Sequence, residues 1–346
     1  MTGYEAAVDA AREGDRSAFG MLAERHRAEL QLHCYRMTGS LEDAEDLVQE
    51  TFLRAWRGRR ALVAERRASF RAWLYRIATN ACLDALKRRP RRVLPSQLRP
   101  PADPTAPPEA PVDLPWLQPY PDHLLAGIAP SEEEPEAVIV SRETLELTFL
   151  AALQGLSPRQ RAVLIVRDVL GWSAKETAAL LEATVASVNS LLQRARATMK
   201  EHLPRRRAEW SAGAATEQER AALQRFMEAF DRTDVAAIAE LLREDARATM
   251  PPHPMWHQGR DAIVTAIAVG MDPATPAFMG EWRSVVTGAN LQPAIAFYLR
   301  PPGGSEFRAF AVDLLCIEDG LVTEMASYSG DGVFKAFRLP LVLPAQ

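Results

Sequence analysis

The stretch LEDAEDLVQETFLRAWR, residues 41–57, decides the fold of the N-terminal part of the chain. Its apolar residues recur at helical spacing and predict a helix with one buried stripe. Its acidic and amide residues fall together on another face, which is either a solvated helix surface or a surface that awaits a basic partner. The stripe consists of Leu41, Ala44, Val48, Phe52, Ala55 and Trp56, and the acidic face consists of Glu42, Glu45, Asp46, Gln49 and Glu50.

A second helix is predicted over residues 69–89, SFRAWLYRIATNACLDALKRR, with Ser69 as its N-cap and Pro90 as its stop. Its exposed face ends in basic side chains, and more arginines precede it in residues 57–67. Such groups can hold a nucleic-acid backbone and stack on unpaired bases, although we interpret Phe70 and Trp73 as core. The predicted buried stripe is Phe70, Trp73, Leu74, Ile77, Ala78, Ala81 and Ala85, and the exposed face is Asn80, Asp84, Lys87 and Arg88.

Residues 157–200 predict three short helices. Ser157 and Ser173 each begin a helix with a capping box, and Gly171 ends the first helix. A short helix, a tight turn and a longer helix with a polar outer face indicate a helix-turn-helix, whose second helix enters the DNA major groove. The alternative is a plain three-helix bundle. On the last helix the predicted buried stripe is Val185, Val188, Leu192, Ala195 and Met199, and the outer face is Ser187, Ser190, Gln193, Arg194 and Lys200.

The rest of the chain adds a linker and a third module. Prolines dominate residues 90–135, which predicts a tether rather than an ordinary helix or strand. The third module begins at residue 216 with two predicted amphipathic helices, one from residue 217 and one over residues 234–245. The predicted parts of the chain are residues 1–89, 90–135, 136–207 and 216–346, and β-like segments are expected near 281–289, 293–300, 306–318 and 321–329.

Composition limits the classes of function. The chain has 346 residues, a length that predicts two or three domains. Its net charge of −4 argues against a non-specific DNA binder, since such proteins are usually basic. The sequence shows neither a long apolar stretch nor a signal peptide, so we expect a cytoplasmic protein without a membrane span. Cys34, Cys82 and Cys316 lack metal-ligand spacing, so we interpret them as reduced core residues and expect neither a metal nor a cofactor.

The runs DAEDLVQETFLRAWR and FRAWLYRIATNACLDALKRR resemble region 2 of the extracytoplasmic-function (ECF) group of sigma-70-type factors, over most of residues 15–89. In that family the acidic helix docks on the clamp helices of the polymerase β′ subunit. The next helix and the loop before it open the minus-10 promoter element and capture a flipped base. The resemblance implies polymerase contacts for Asp43, Glu45, Asp46, Gln49, Glu50 and Trp56, and promoter contacts for Asn80, Asp84, Arg88 and the loop at 58–68.

Residues 156–200 resemble sigma region 4, which reads the minus-35 element and contacts the polymerase β flap. Many family members carry a basic residue at the position of Asn189 and an arginine at that of Leu191. Fewer cations weaken phosphate contacts, so we expect an atypical or weaker minus-35 element. Asn189 can still bond an adenine edge, and Leu191 is expected in the core. The resemblance implies DNA contacts for Ser187, Asn189, Ser190, Gln193 and Arg194.

The order of elements after residue 216 resembles the SnoaL-like, nuclear-transport-factor-like fold, an α+β cone whose sheet wraps an apolar cavity. Some relatives of that fold are enzymes with an acid–base pair, which here would be His257 and Asp313. We expect no catalysis from this pair. The predicted pocket, formed by Trp256, His257, Trp282, Asp313 and Tyr328, would hold either a small-molecule ligand or another part of this chain.

Trp116 and Tyr120 stand among the prolines of the linker, which is unusual for a free tether. In sigma factors the segment between regions 2 and 4 threads the RNA exit channel near the active centre. We expect these aromatic residues to pack against either the C-terminal domain or the polymerase.

Together these patterns predict a multidomain protein with two all-α helical modules and a C-terminal α+β SnoaL-like cone. The predicted function is that of a sigma factor whose partners are core RNA polymerase and promoter DNA and which is modulated by its own C-terminal domain. The alternatives are a SnoaL-like enzyme fused to a DNA-binding module and a DNA-binding regulator that does not use polymerase. The acidic helix favours the sigma factor, because a stand-alone DNA binder has no use for Glu45, Asp46 and Glu50 on one face.

Overall fold

The computed structural model describes residues 3–59, 69–88, 90–107, 109–128, 144–202 and 216–344. They fall into two compact units. The first unit comprises residues 1–92 and 124–211, and the second comprises residues 93–123 and 212–346. Most of the predicted tether that the structure describes therefore belongs to the second unit.

The regular elements of the first unit are helices, as predicted. Several begin at a side chain that satisfies a free backbone amide: Ser40 accepts from the backbone N–H of Asp43, and Ser69 from that of Ala72. The helices are α1 (Gly3–Glu13), α2 (Arg16–Thr38), α3 (Leu41–Gly58), α4 (Phe70–Leu86), α5 (Leu147–Gln154), α6 (Pro158–Leu164), α7 (Ala174–Leu180) and α8 (Val185–His202).

Both predicted capping boxes, at Ser157 and Ser173, are confirmed. The helix that starts at Ser157 changes character, however, because residues Ile165–Val169 form a π-helical turn. The backbone N–H of Leu170 bonds to the carbonyl of Ile165, five residues back. The helix thus continues nearly to the predicted stop at Gly171, but its second half is a π-helical turn instead of α-helix.

The second unit contains a sheet with strand order β2-β1-β6-β5-β4-β3, and β7 pairs with β5. β1 and β6 are parallel, and the other pairs are antiparallel. The last four long strands agree with the predicted segments to within one residue. The elements are α9 (Glu217–Asp231), α10 (Val235–Leu241), β1 (Leu242–Thr249), β2 (Trp256–Gln258), α11 (Arg260–Met271), β3 (Glu281–Ala289), β4 (Gln292–Arg300), β5 (Phe307–Glu318), β6 (Leu321–Ser329), α12 (Asp331–Ala336) and β7 (Val342–Leu343).

One element of this unit was predicted wrongly. The helix expected over residues 234–245 ends at Leu241, and the chain continues as strand β1. Strand β1 lies between β2 and β6, and its backbone groups pair with both neighbours. This tertiary pairing outweighs the local preference of these residues for a helix.

The sheet buries both of its faces. Its helix face packs against α9, α10 and α11 and carries Ile295, Phe297, Leu315 and Met325. Its outer face carries Ala294, Ala296, Val312 and Leu314, which are also buried. Because side chains alternate along a strand, every residue of the central strands can be assigned to one of these two faces from the register.

Candidate polymerase and promoter interfaces

The predicted polymerase-binding residues lie along one side of α3. Glu45, Asp46 and Gln49 are exposed, and Asp43 and Glu50 are half-buried. Two of the carboxylates form ion pairs within the first unit: Asp43 lies 2.7 Å from Arg92, and Glu50 lies 2.7 Å from Arg54. The exposed acidic surface is therefore centred on Glu45, Asp46 and Gln49.

Trp56, the sixth predicted polymerase contact, packs against its own unit. Its ring lies edge-on to that of Phe19, with ring centroids 5.2 Å apart. The guanidinium of Arg59 lies over the ring at 4.2 Å from its centroid. The indole remains half-exposed at the end of α3.

The predicted minus-10 residues lie near the end of α4. Asn80 is half-buried, and Asp84 and Arg88 are exposed. The ammonium of Lys87 holds the pKa of Asp84 below its usual value, with Arg54 adding to the effect. Residues 60–68, most of the predicted promoter loop, lie outside the described residues.

The predicted reading helix is α8, preceded by the short helix α7. All five candidate DNA contacts on α8 are exposed, and Leu191 is half-buried. Val185, the first residue of the helix, was predicted in the buried stripe but is 43% exposed. The exposed candidates are Ser187, Asn189, Ser190, Gln193 and Arg194.

Within the first unit, the two helical modules contact each other. Arg161 of α6 is 3% exposed and donates to the backbone carbonyl of Met37 near the end of α2. Arg161 also donates to Gln154 Oε1 at 2.7 Å. Trp172, which follows the π-helical turn, packs on Tyr75 of α4 with ring centroids 5.6 Å apart.

Burial lowers the pKa of Arg161 to about 10, so this side chain is still a cation at neutral pH. Arg161 could not be identified from the sequence, because a buried arginine has the same local pattern as an exposed one. The missing information is its partner, the Met37 carbonyl, which lies 124 residues away in the chain.

The five predicted pocket residues do not share one face of the sheet. Asp313 is the cross-strand partner of Ile295, and Trp282 is that of Leu299. His257 stands opposite Ala248 on β1, which is in register with Met325 on β6 and, one strand further, with Leu315 on β5. His257, Trp282 and Asp313 are therefore on the helix face. Trp256 and Tyr328 are on the outer face, because the register aligns them with Leu314 and Val312.

The proline-rich segment 93–123 packs on this sheet. At one edge, the backbone N–H of Ala102 donates to the carbonyl of Trp256 on β2. At the other edge, the backbone N–H of Tyr120 donates to Asn290 Oδ1 in the β3–β4 turn, at 2.8 Å. Between these points Trp116 and Leu117 are buried. The segment therefore extends across the sheet from one edge strand to the other.

Models of known protein families match three parts of the chain. They are Sigma-70 region 2 over residues 22–92, Sigma-70 region 4 over 146–199 and a SnoaL-like domain over 223–325. The ECF RNA polymerase sigma factor SigG of Mycobacterium tuberculosis is 41% identical over 330 residues, which are 95% of this chain and 85% of SigG. This chain belongs to the ECF sigma factors.

This sigma factor is also similar to shorter members of the family. SigW of Bacillus subtilis is 27% identical over 193 residues, which cover 56% of this chain and 92% of SigW. The crystal structure of the sigma factor SigJ of M. tuberculosis shares the fold, with a TM-score of 0.58 at 21% identity over 92% of this chain and 98% of SigJ. This ECF sigma factor is thus a transcription-initiation factor that works with core RNA polymerase and promoter DNA. No helix in the described part of the chain is long and apolar enough to cross a bilayer.

Proposed function

We propose that this sigma factor binds core polymerase through the exposed side of α3 and reads promoter DNA through α4 and α8, in the cytoplasm. The observation that carries the proposal is the surface of Glu45, Asp46 and Gln49, which offers two carboxylates and an amide to a basic partner. Asp43 and Glu50 take part less directly, since each already has an arginine partner.

The promoter imposes a geometric condition on this function. The minus-10 and minus-35 elements are about 25 base pairs apart, or about 85 Å at 3.4 Å per pair. Helix α8 has 18 residues and is about 27 Å long. The two modules cannot hold both elements while Trp172 packs on Tyr75, so binding requires that they separate.

The second unit has a regulatory rather than a catalytic task in this proposal. Its sheet holds segment 93–123, which connects the two helical modules in sequence. In sigma factors the corresponding segment threads the RNA exit channel. The same residues cannot occupy the sheet and that channel at once, so release of the segment is a step at which initiation is controlled.

Run-off transcription with core polymerase tests the main proposal. Asp46→Arg reverses the charge at the centre of the exposed surface and should reduce polymerase affinity at least tenfold, with a matching loss of promoter-specific transcript. Glu240→Arg, at an exposed position of α10 in the second unit, makes the same charge change as a control and should leave polymerase affinity and transcript unchanged. The proposal fails if the native protein yields no promoter-specific transcript, or if Asp46→Arg binds polymerase as the native protein does.

A further inference from the structure

Two of the three cysteines lie side by side in the core of the first unit. Cys34 of α2 and Cys82 of α4 are fully buried, and their thiols form a hydrogen bond with each other. Cys316, the third cysteine, lies on β5 of the second unit. Cys34 and Cys82 thus form a cluster of two nucleophilic sulfur atoms that neither polymerase binding nor promoter binding uses.

A neighbouring contact fixes the register of the two helices. His33 Nε2 of α2 lies 2.9 Å from Thr79 Oγ1 of α4, and both side chains are buried. Cys34 directly follows His33, and Cys82 comes one turn after Thr79 on the same side of α4. The two sulfur atoms therefore meet because α2 and α4 pack in this register.

The two thiols have different surroundings. The hydrogen bond with Cys82, together with burial, raises the pKa of Cys34 well above its usual value, so Cys34 stays a thiol at neutral pH. Cys82 lies near the guanidinium of Arg161, because burial and Arg91 lower the pKa of Arg161 whereas Cys82 raises it. The thiolate is the reactive form of a cysteine, and a nearby cation favours it. Cys82 is therefore placed to attack an oxidant, and Cys34 is placed to react with the product.

The contact between the two helical modules covers this pair. Tyr75, Thr79 and Cys82 form one stripe along α4, because they follow one another at intervals of four and three residues. Trp172 packs on Tyr75 at one end of the stripe, and Arg161 lies near Cys82 at the other. Trp172 and Arg161 both belong to the second helical module. Separation of the modules therefore opens a path from solvent to Cys82.

We propose that Cys34 and Cys82 are a redox-active pair, which a small hydroperoxide oxidises to a disulfide when the two helical modules separate. The thiolate of Cys82 attacks one oxygen of hydrogen peroxide, the O–O bond breaks, and Cys82 becomes a sulfenic acid. The leaving hydroxide takes the proton that Cys82 released and departs as water. The sulfur of Cys34 then displaces the sulfenic hydroxyl group, which takes the proton of Cys34 and leaves as a second water.

This reaction is balanced without a further reagent. The two thiols lose two electrons and two protons, and one molecule of hydrogen peroxide is reduced to two molecules of water. The route by which the peroxide reaches Cys82 rests on the separation of the modules in the proposed function. The chemistry of the pair does not depend on polymerase or on DNA.

Peptide mass spectrometry of the full-length protein tests the proposal. The folded protein is treated with hydrogen peroxide, unfolded in N-ethylmaleimide and digested with trypsin without a reductant. We expect a disulfide between the peptides of residues 28–36 and 77–87, while Cys316 is alkylated. Cys316→Ser is the matched control and should form this disulfide at the native rate. Trp172→Ala should form it roughly threefold faster or more, because a weaker contact between the modules is open more often.

Single substitutions separate the roles of the two sulfur atoms. Cys34→Ser should stop at a sulfenic acid on Cys82, which dimedone traps, and Cys82→Ser should leave Cys34 unoxidised. The proposal is overturned if the native protein forms no disulfide between these residues, or if Trp172→Ala forms it no faster. Neither result involves polymerase, so both are distinct from a failure in run-off transcription. Circular dichroism checks that each variant is folded, and the native protein and Trp172→Ala decide if a serine variant is not.

Discussion

At the scale of single residues, Asp313 makes stability depend on pH. Its pKa in the folded protein is raised to about 7 by burial, whereas an aspartate in an unfolded chain has a pKa of about 3.9. The folded state thus keeps a proton that the unfolded chain releases. The stability contributed by the neutral carboxyl is fully present below about pH 4 and is lost as the pH rises to about 7.

Asp313→Asn should remove this dependence, because the amide is neutral at every pH. The quantity to compare is the melting temperature of the variant minus that of the native protein. We expect this difference to be larger at pH 8 than at pH 5. Ser327→Ala should have the opposite effect on the slope, since it removes the hydrogen bond that lowers the pKa of Asp313. Thermal unfolding followed by circular dichroism measures both differences. An identical difference at the two pH values would contradict the assignment of a raised pKa.

At the scale of elements, the β3–β4 hairpin is shaped to hold segment 93–123. Its two-residue turn, Asn290 and Leu291, has positive φ values of 58° and 56°, which is uncommon for leucine. The turn presents the backbone N–H of Leu291 to Asp122 Oδ1 at 2.8 Å. At Gly288 a side chain would collide with the carboxylate of Asp122, so glycine lets the segment approach the strand.

Gly288→Ala should therefore loosen the segment while leaving the sheet folded. We expect faster chymotrypsin cleavage at Trp116 and Leu117, which are buried in the native protein. Gly332→Ala in α12 is the matched control, because a side chain at that position meets no atom within 4 Å. If the two variants are cleaved at the same rate, the contact between Gly288 and Asp122 does not hold the segment in place.

The same elements show where sequence patterns were sufficient. Alternating residues predicted β3 to β6, and capping side chains predicted where α4, α6 and α7 begin, because those signals are local. Strand β1 was missed, since one of its two partner strands is β6, which lies about 80 residues later in the chain. The pocket prediction combined five residues whose face depends on register, and register follows from strand pairing rather than from any one strand. Tyr120 of the linker was correctly singled out, but its hydrogen-bond partner, Asn290 in the β3–β4 turn, has no signal in the linker itself.

At the scale of the whole molecule, the contact between the two helical modules of the first unit is a cost to promoter binding. If promoter binding requires that the modules separate, only the open molecules bind DNA. The apparent affinity for the promoter is then the intrinsic affinity multiplied by the fraction of molecules that are open. This contact between the modules can break at a moderate cost in free energy. It buries the cation Arg161, whose partners in the described part of the chain are carbonyl and amide oxygens rather than a carboxylate, and such a cation regains water when the modules separate.

Trp172→Ala should weaken this contact without altering the acidic surface of α3 or the outer face of α8. A loss of about 1.4 kcal/mol in the contact would raise the affinity of the polymerase–sigma complex for promoter DNA up to about tenfold. Trp172→Phe, which keeps a ring against Tyr75, should stay close to the native protein. Promoter binding by fluorescence anisotropy, together with hydrogen exchange along α4 and α6, measures both effects. Faster exchange without tighter promoter binding would show that the modules open freely and that their contact does not limit initiation.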